Sequence, residues 1–464
     1  MNMNSKVLVY IWVYIIFHYA LADENQLHYV MVSGNDDNSG TTQTNAWRTI
    51  QKAASKAIAG STVYIGPGTY YETVTILVQG NLFNRSITFT SLMPDNPAII
   101  SGENATVASP DGTLNLIYIE NKSCLNIINL ELANLKGSEC SGVRIVGGGT
   151  RIELRNLHIH NILGGGKTGG AMAITVYNKN QETSLSKLII DNCTLHDCEP
   201  AWSEALTLNG NIELFQVTNN RVYNMNNIGI DFIGGESNMG ALGARSGQCY
   251  YNTVWNIHSS YDSSAAGIYV DGGSDINIGK NEVYNSDAGI EIGAENQGRI
   301  ASGMVVHENY IHDNDKAGLL FGGYDFERGR VINSTFQNNR LENNDVKNTE
   351  AGEIVVSFAS NSFVYSNAIK PNIKNIILTV DQIGGLDNVF NRQSYYPNGL
   401  NANESNLIFN WGNQQYRGLS AFQNATQQEL QASVLSSKAG SIRYPSMLCI
   451  LPLIITFIAS AKAY

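Results

Sequence analysis

Residues 220–224 read NRVYN, 252–256 NTVWN, 281–285 NEVYN, 309–313 NYIHD and 339–343 NRLEN. Their first residues stand 32, 29, 28 and 30 positions apart. A short apolar strand bounded by Asn and returning at this period is the mark of a solenoid, and the absence of helical periodicity makes it a β-solenoid. Each Asn that opens a strand is expected to stack on the one in the next coil, building a ladder of side-chain amides at a turn. Weaker versions, Asn156–His160 and Asn192–His196, extend the pattern upstream.

A second phrase runs in step with the first: Gly229-Ile-Asp231-Phe-Ile, Gly267-Ile-Tyr269-Val-Asp271, Gly289-Ile-Glu291-Ile-Gly293 and Gly318-Leu-Leu320-Phe-Gly322, with Ala205-Leu-Thr207-Leu-Asn209 as an earlier relative. Strand alternation sends Ile230, Phe232, Ile268, Val270, Ile290, Ile292, Leu319 and Phe321 inward, so Asp231, Tyr269, Asp271 and Glu291 share an outer face. The 44 Gly and 23 Tyr beside only 9 Pro fit strands and tight turns, and no Pro- or Ser-rich linker divides the middle of the 464 residues. One elongated all-β domain follows.

Residues 28–76, from HYVMVSGNDDNSG through NAWRTIQKAASKAIAG to STVYIGPGTYYETVTI, resemble the start of right-handed parallel β-helix proteins of the pectate-lyase-like superfamily. The resemblance spans about residues 28 to 400 and implies an N-terminal helix, about Trp47 to Ala59, that caps the open end of the coil stack. VYIGPGTYYE would then be the first full strand and turn. The superfamily contains glycoside hydrolases, polysaccharide lyases and epimerases, so the resemblance implies a carbohydrate-active protein without naming the reaction. Within this segment, Asn35-Asp36-Asp37-Asn38-Ser39-Gly40 reads as an Asx-rich turn, because it lacks the closing bidentate carboxylate of a calcium loop.

The ends point outside the cell. Residues 1–22 read as a signal peptide, an apolar run from Val7 closed by Ala20-Leu21-Ala22. Seven Asn-x-Ser/Thr sites, at Asn84, Asn104, Asn121, Asn192, Asn333, Asn403 and Asn424, are candidate glycosylation positions. Small residues around Ser437, a polar spacer and the apolar run Met447–Ala461 make 438–464 a removable lipid-attachment signal, with Ser437 as acceptor of a glycosylphosphatidylinositol anchor to the plasma membrane. About 15 apolar residues fall short of the roughly 20 needed to span a bilayer. The expected outcome is release of the protein from cells by a phosphatidylinositol-specific phospholipase; retention with the 447–461 peptide still present by mass spectrometry would reject the anchor. Between these ends the division is 23–75, cap and first coil; 76–400, β-helix; and 401–437, C-terminal cap and linker.

Of six Cys, Cys449 lies in the removable tail, and five cannot all pair; Cys193 and Cys198, flanking an expected turn, are candidates for a bridge. His158, His160, His196, His258 and His312 lie mostly inside the Asn phrases and read as stacked turn or core-edge residues, with no metal assigned to them. A net charge of −11, with Lys and Arg scattered, argues against nucleic acid as a partner, and the chain is expected to be a monomer.

Aligned outer residues on neighbouring rungs lie about 4.8 Å apart, and diagonal or two-rung steps give about 7 to 10 Å. The latter spacing suits two carboxyl groups placed across a glycosidic bond for inverting hydrolysis, which needs about 6.5 to 9.5 Å. Asp231, Asp271 and Glu291 are therefore the candidate catalytic residues, Asp271 as general acid and Asp231 or Glu291 as base. Tyr269, Glu236, Arg245 and Tyr324 are candidates for binding a polysaccharide, with Tyr261 in the same connections. A hydrolase of this kind needs no cofactor. Elimination from a uronic-acid polymer is the alternative: Arg245, Lys316, Arg330 or Tyr324 would then serve as base or countercharge, while the three carboxylates held Ca2+. A non-catalytic glycan-binding or adhesive protein is the third reading. A walled cleft over the acidic face favours an enzyme, and a flat face favours a binder.

Overall fold

The computed structural model describes residues 26–83, 85–325, 327–380, 387–399 and 401–435. The expected signal peptide, Asn84 and the lipid-attachment segment with Ser437 lie outside them. Among the described residues, three sheets of thirteen strands each run the length of a right-handed parallel β-helix, and two three-stranded sheets fill one corner. The first sheet starts at Leu27–Val30, the second at Gly68–Tyr70 and the third at Val74–Ile76. The NxxxN phrases lie at the second sheet, where Arg221 pairs with Thr253, Thr253 with Glu282, Glu282 with Tyr310 and Tyr310 with Arg340.

Both Asn of each phrase have a physical task. The opening ones are buried and form a continuous ladder: Asn220, Asn252, Asn281, Asn309 and Asn339 each donate from Nδ2 to the Oδ1 of the next, at 2.9 to 3.0 Å, and Asn367 carries it on to Gln393. Each Oδ1 also accepts the backbone N–H of the preceding Asn, so one amide satisfies groups that the bend would otherwise leave bare. The closing residues, Asn224, Asn256, Asn285, Asp313 and Asn343, lie at φ between 48° and 56°, a left-handed bend that Asn and Asp tolerate. Upstream the expected alignment is off by one. Cys193 occupies the ladder position, its N–H donating to Asn220, while Asn156 and Asn192 belong to a separate, exposed ladder, with Nδ2 of Asn192 on Oδ1 of Asn156 at 2.7 Å.

The eight side chains expected to face inward are all buried. Five strands of the third sheet carry the second phrase: β1 (Leu206–Gly210), β2 (Ile230–Ile233), β3 (Ala266–Asp271), β4 (Ala288–Gly293) and β5 (Leu319–Gly322). Ile230, Ile268, Ile290 and Leu319 stack in one register, so Gly229, Gly267, Gly289 and Gly318 stack just before them. A Cβ on Gly289 would sit 2.2 Å from the Gly318 carbonyl oxygen, and one on Gly229 2.5 Å from that of Gly267. The recurrent glycine is a demand of close backbone approach.

A helix caps the N-terminal end, shorter than expected: α1 spans Ile50–Lys56 and Trp47 precedes it. Asp36 accepts the N–H groups of Arg48 and Thr49, Glu72 accepts those of Ile50 and Gln51, and Asn35 Oδ1 accepts the N–H of Asp37 within the Asx turn. At the other end, Ile408–Trp411 forms an antiparallel hairpin with Gln414–Arg417, and helix α2 (Leu419–Thr426) lays Phe422 on Phe409 with ring centroids 4.5 Å apart. Among the described residues no helix is long and apolar enough to cross a membrane.

The bridge considered for Cys193 and Cys198 does not form: Cys124, Cys140, Cys193, Cys198 and Cys249 are all free and buried. Thr194–Cys198 is a strand, and five extended steps cover about 16 Å, well beyond the roughly 7 Å reach of a disulfide. The six Asn of the described sequons are exposed.

Candidate functional site

The outer face of β1 to β5 forms the floor of a cleft of about 610 Å3. Thr207, Asp231, Tyr269, Glu291, Leu320 and Val355 form one column of paired residues across it. Asp271 stands two residues beyond Tyr269 on the same face, diagonal to both Asp231 and Glu291. All three expected catalytic carboxyls line the cleft, together with Glu236 and four carboxyls in all that come from bends and loops: Glu204, Glu236, Asp262 and Glu295. Among the described residues, Lys316 is the only basic side chain that lines it.

Seven carboxyls around one ammonium cannot all ionise cheaply, and burial selects which do not. Asp231 is 1% exposed and its Oδ1 has no hydrogen-bond partner. Burial first, then the charges of Glu204, Asp271 and Glu295, push it well above the ordinary carboxyl range. Glu204 moves upward for the same reasons, with Glu236 as the main charge. Asp271, 7% exposed, is raised to about 7 by burial, against a 2.6 Å hydrogen bond that its Oδ1 accepts from the Glu295 backbone N–H. Glu291 is raised to about 8, by burial and then by Glu295 and Asp271, with Lys316 opposing.

Glu295 differs from these. Its side chain is exposed, and Oε1 accepts from the hydroxyls of Tyr269 at 3.1 Å and Tyr324 at 3.3 Å. Glu236 accepts from Asn209 Nδ2 at 2.6 Å. Tyr269 is 5% exposed and packs with Ala266, Ala288, Ile228 and Leu320, so it is part of the floor and offers no open ring face. The exposed aromatics are Tyr324, with the Arg328 guanidinium over its ring, and Trp202, tilted against Tyr261 at 4.6 Å. Both line the cleft, Trp202 from the bend before β1 and Tyr324 from the loop after β5.

Arg245 is a correction. It pairs with Glu213 at 2.6 Å and donates to Asn211 in a corner of the coil away from the cleft. Arg330 also lies elsewhere, in the short corner strand Arg330–Ile332. Tyr261 donates its hydroxyl to the Ala201 carbonyl and supports Trp202 from behind. Glu295, which sequence reasoning passed over, ends the very phrase GIEIGAE: alternation carried two steps past Gly293 reaches it. Glu204 had no such signal, because it precedes β1 in a bend.

The raised carboxyls set a pH dependence of stability. A carboxyl whose folded value exceeds its unfolded value of about 4 binds more protons in the native state, so stability is full below that value and is lost as pH rises through the folded one. Asp271 (about 7), Glu291 (about 8) and the buried Glu353 (about 8) act together. Melting temperature is therefore expected to fall between about pH 5 and pH 8, and less steeply in Glu291→Gln. Calorimetric scans that stay level or rise across this window would contradict the assignment.

No protein-family model matches the chain. In fold the protein is similar to the GH136 lacto-N-biosidase from Eubacterium ramulus, with TM-score 0.51 and 12% identity, covering 93% of this chain and 70% of that one. The A-module of the mannuronan C-5 epimerase AlgE4 from Azotobacter vinelandii gives TM-score 0.49 and 10% identity, covering 76% of this chain and 90% of that one. The likeness to the lacto-N-biosidase, at 12% identity, speaks of the fold alone. In sequence the chain is 32% identical over 416 residues to the uncharacterized protein YwoF of Bacillus subtilis (strain 168), covering 87% of this chain and 86% of that protein. A match of that extent makes the chain a member of the YwoF family of parallel β-helix proteins.

Proposed function

We propose that the protein is a carbohydrate-active enzyme that lays a polysaccharide along the acidic cleft and hydrolyses a glycosidic bond. The observation that carries this reading is one pair of carboxyls. Asp271 is a buried acid, raised to about 7, that still carries a proton in a good part of the molecules near neutrality, and Glu295 is an exposed side chain joined to it through its own backbone N–H. Asp271 gives its proton to the leaving glycosidic oxygen. Glu295 takes one from a water whose oxygen bonds to the anomeric carbon, and that proton returns to solvent as Asp271 is reprotonated. Asp231 and Glu291, first read as bases, suit that role less well, because burial keeps both protonated. They serve as neutral hydrogen-bonding groups on the floor. Trp202 and Tyr324 offer ring faces to sugar rings at either end of the strand run.

The charge of the cleft supports hydrolysis over elimination. A uronic-acid polymer would bring more negative charge to seven carboxyls and one Lys, and two of the cations that elimination could have used, Arg245 and Arg330, lie outside the cleft. A neutral polysaccharide meets no such repulsion. The walled cleft also favours an enzyme over a simple binder. We infer an extracellular, lipid-tethered location from the terminal segments of the sequence alone.

A panel of neutral and uronic-acid polysaccharides tests the reading. New reducing ends without ultraviolet absorbance, insensitive to chelator, are expected on a neutral polymer. An unsaturated, ultraviolet-absorbing product lost on chelation would establish the Ca2+-dependent lyase instead, and binding without turnover on every polymer would establish the binder.

A further inference from the structure

The second sheet carries, on its outer face, a run of stacked rings: His160, His196, Tyr223, Trp255, Tyr284 and His312, with successive centroids 4.2 to 5.9 Å apart and planes within 10°. The histidines of this run sit on strands, not in turns as their sequence context suggested. At its upstream end the rings gather around a carboxylate. Glu131, His158 and His160 each place one ligand atom within 4.8 Å of the others.

The strand register explains the convergence. Glu131 pairs with His158, and His160 pairs with His196, on three successive coils, with alternation putting all four side chains on one face. His160 Nε2 lies 3.2 Å from Glu131 Oε1, His158 Nδ1 4.0 Å from Glu131 Oε2, and His158 Nε2 2.7 Å from His196 Nε2. Asp197 Oδ2 lies 2.5 Å from His196 Nδ1, and Asn224 Nδ2 holds Asp197 by its other oxygen at 3.0 Å. His196, oriented in this way, meets His158 Nε2 and so fixes the ring of His158 with its Nδ1 toward Glu131, the kind of outer partner that orients a ligating imidazole.

We propose that Glu131, His158 and His160 bind one zinc-like divalent transition metal. Two imidazoles and one carboxylate form the borderline set that zinc accepts with a water in the fourth position, whereas calcium and magnesium take oxygen donors. A second group among the described residues, His258 with Asp287 and Asp315, makes the contrast. There Lys347 Nζ stands 2.5 Å from Asp315, so a cation is already built in. The ion-pair partners of Glu131 are the imidazoles themselves. Because the ligands come from two adjacent coils, the metal ties those coils together. Its site lies on a different sheet from the acidic cleft and takes no part in the chemistry proposed there.

The test uses the whole purified protein, stripped with chelator and titrated with zinc sulfate by calorimetry and with cobalt(II) by visible absorption. One equivalent of zinc is expected, together with cobalt bands of a four-coordinate site that zinc abolishes. His160→Ala and Glu131→Gln should each weaken zinc binding at least tenfold, and zinc should raise the melting temperature of the parent but not of the variants. Circular dichroism identifies the variants that keep the β-helix, and His158→Asn serves wherever one of the others does not. No saturable zinc uptake by the folded parent, or equal uptake by a folded His160→Ala, would overturn the proposal.

Discussion

Asp271→Asn is expected to lower turnover on the cleaved polysaccharide by two to four orders of magnitude while leaving KM nearly unchanged. The side chain keeps its shape, and the amide oxygen can still accept the Glu295 N–H that now meets Asp271 Oδ1. What goes is the proton, which matters in the transition state and little in ground-state binding. Asp271, raised to about 7, is neutral at pH 5 and mostly ionised at pH 8, and it has no ion-pair partner among the described residues to lose, so the variant should be as stable as the parent at pH 5 and more stable at pH 8. Steady-state kinetics and melting curves on the same preparations separate the two effects. A loss of less than tenfold in kcat would remove Asp271 from the proton-donor role.

The second large effect concerns the fold. Asn281 is 2% exposed, accepts both the backbone N–H and a side-chain N–H of Asn252, and donates to the Cys249 carbonyl and to Asn309. Asn281→Ala strands several of these groups away from water at about 1 to 3 kcal/mol each, so a loss of about 4 kcal/mol is expected in denaturant unfolding. Asn281→Asp keeps the acceptors but loses the two donated bonds and buries a charge, and should be no better. By contrast Asn256→Ala, at a half-buried closing bend, gives up one bond to Asn224 and takes on the strain of a left-handed φ of 55°, and should cost about 1 to 2 kcal/mol. Equal losses for Asn281→Ala and Asn256→Ala would show that the inner ladder has no special role.

The coil period, the inward residues and the shared face of Asp231, Asp271 and Glu291 could be read from the phrases because each is a strand property, and alternation is rigid over five or six residues. The site was legible only as far as the strands extend. Glu204, Asp262 and Glu295 reach the cleft from bends and loops, where no period applies, although Glu295 stood two steps beyond a residue already chosen. Arg245 failed for the opposite reason: its connection runs to the corner with Glu213, and nothing in the spacing distinguishes a loop that covers the cleft from one that turns away. The one-residue offset at Asn192 has a similar origin, since an inner and an outer Asn alternate at the same bend and either can look like the repeat. Which carboxyls stay protonated was beyond the sequence altogether, because it depends on burial.

The two capped ends have a meaning beyond stability. Every rung of a parallel coil is a template for the next, and an uncovered last rung would offer its row of free N–H and C=O groups to the first rung of another molecule. Helix α1, clamped by Asp36 and Glu72, closes one end, and the antiparallel hairpin with Phe422 of α2 closes the other. The caps therefore act as terminators of polymerisation: they turn a repeat that could grow into a fibre into a rod of fixed length, with its cleft held at a set distance from either tip.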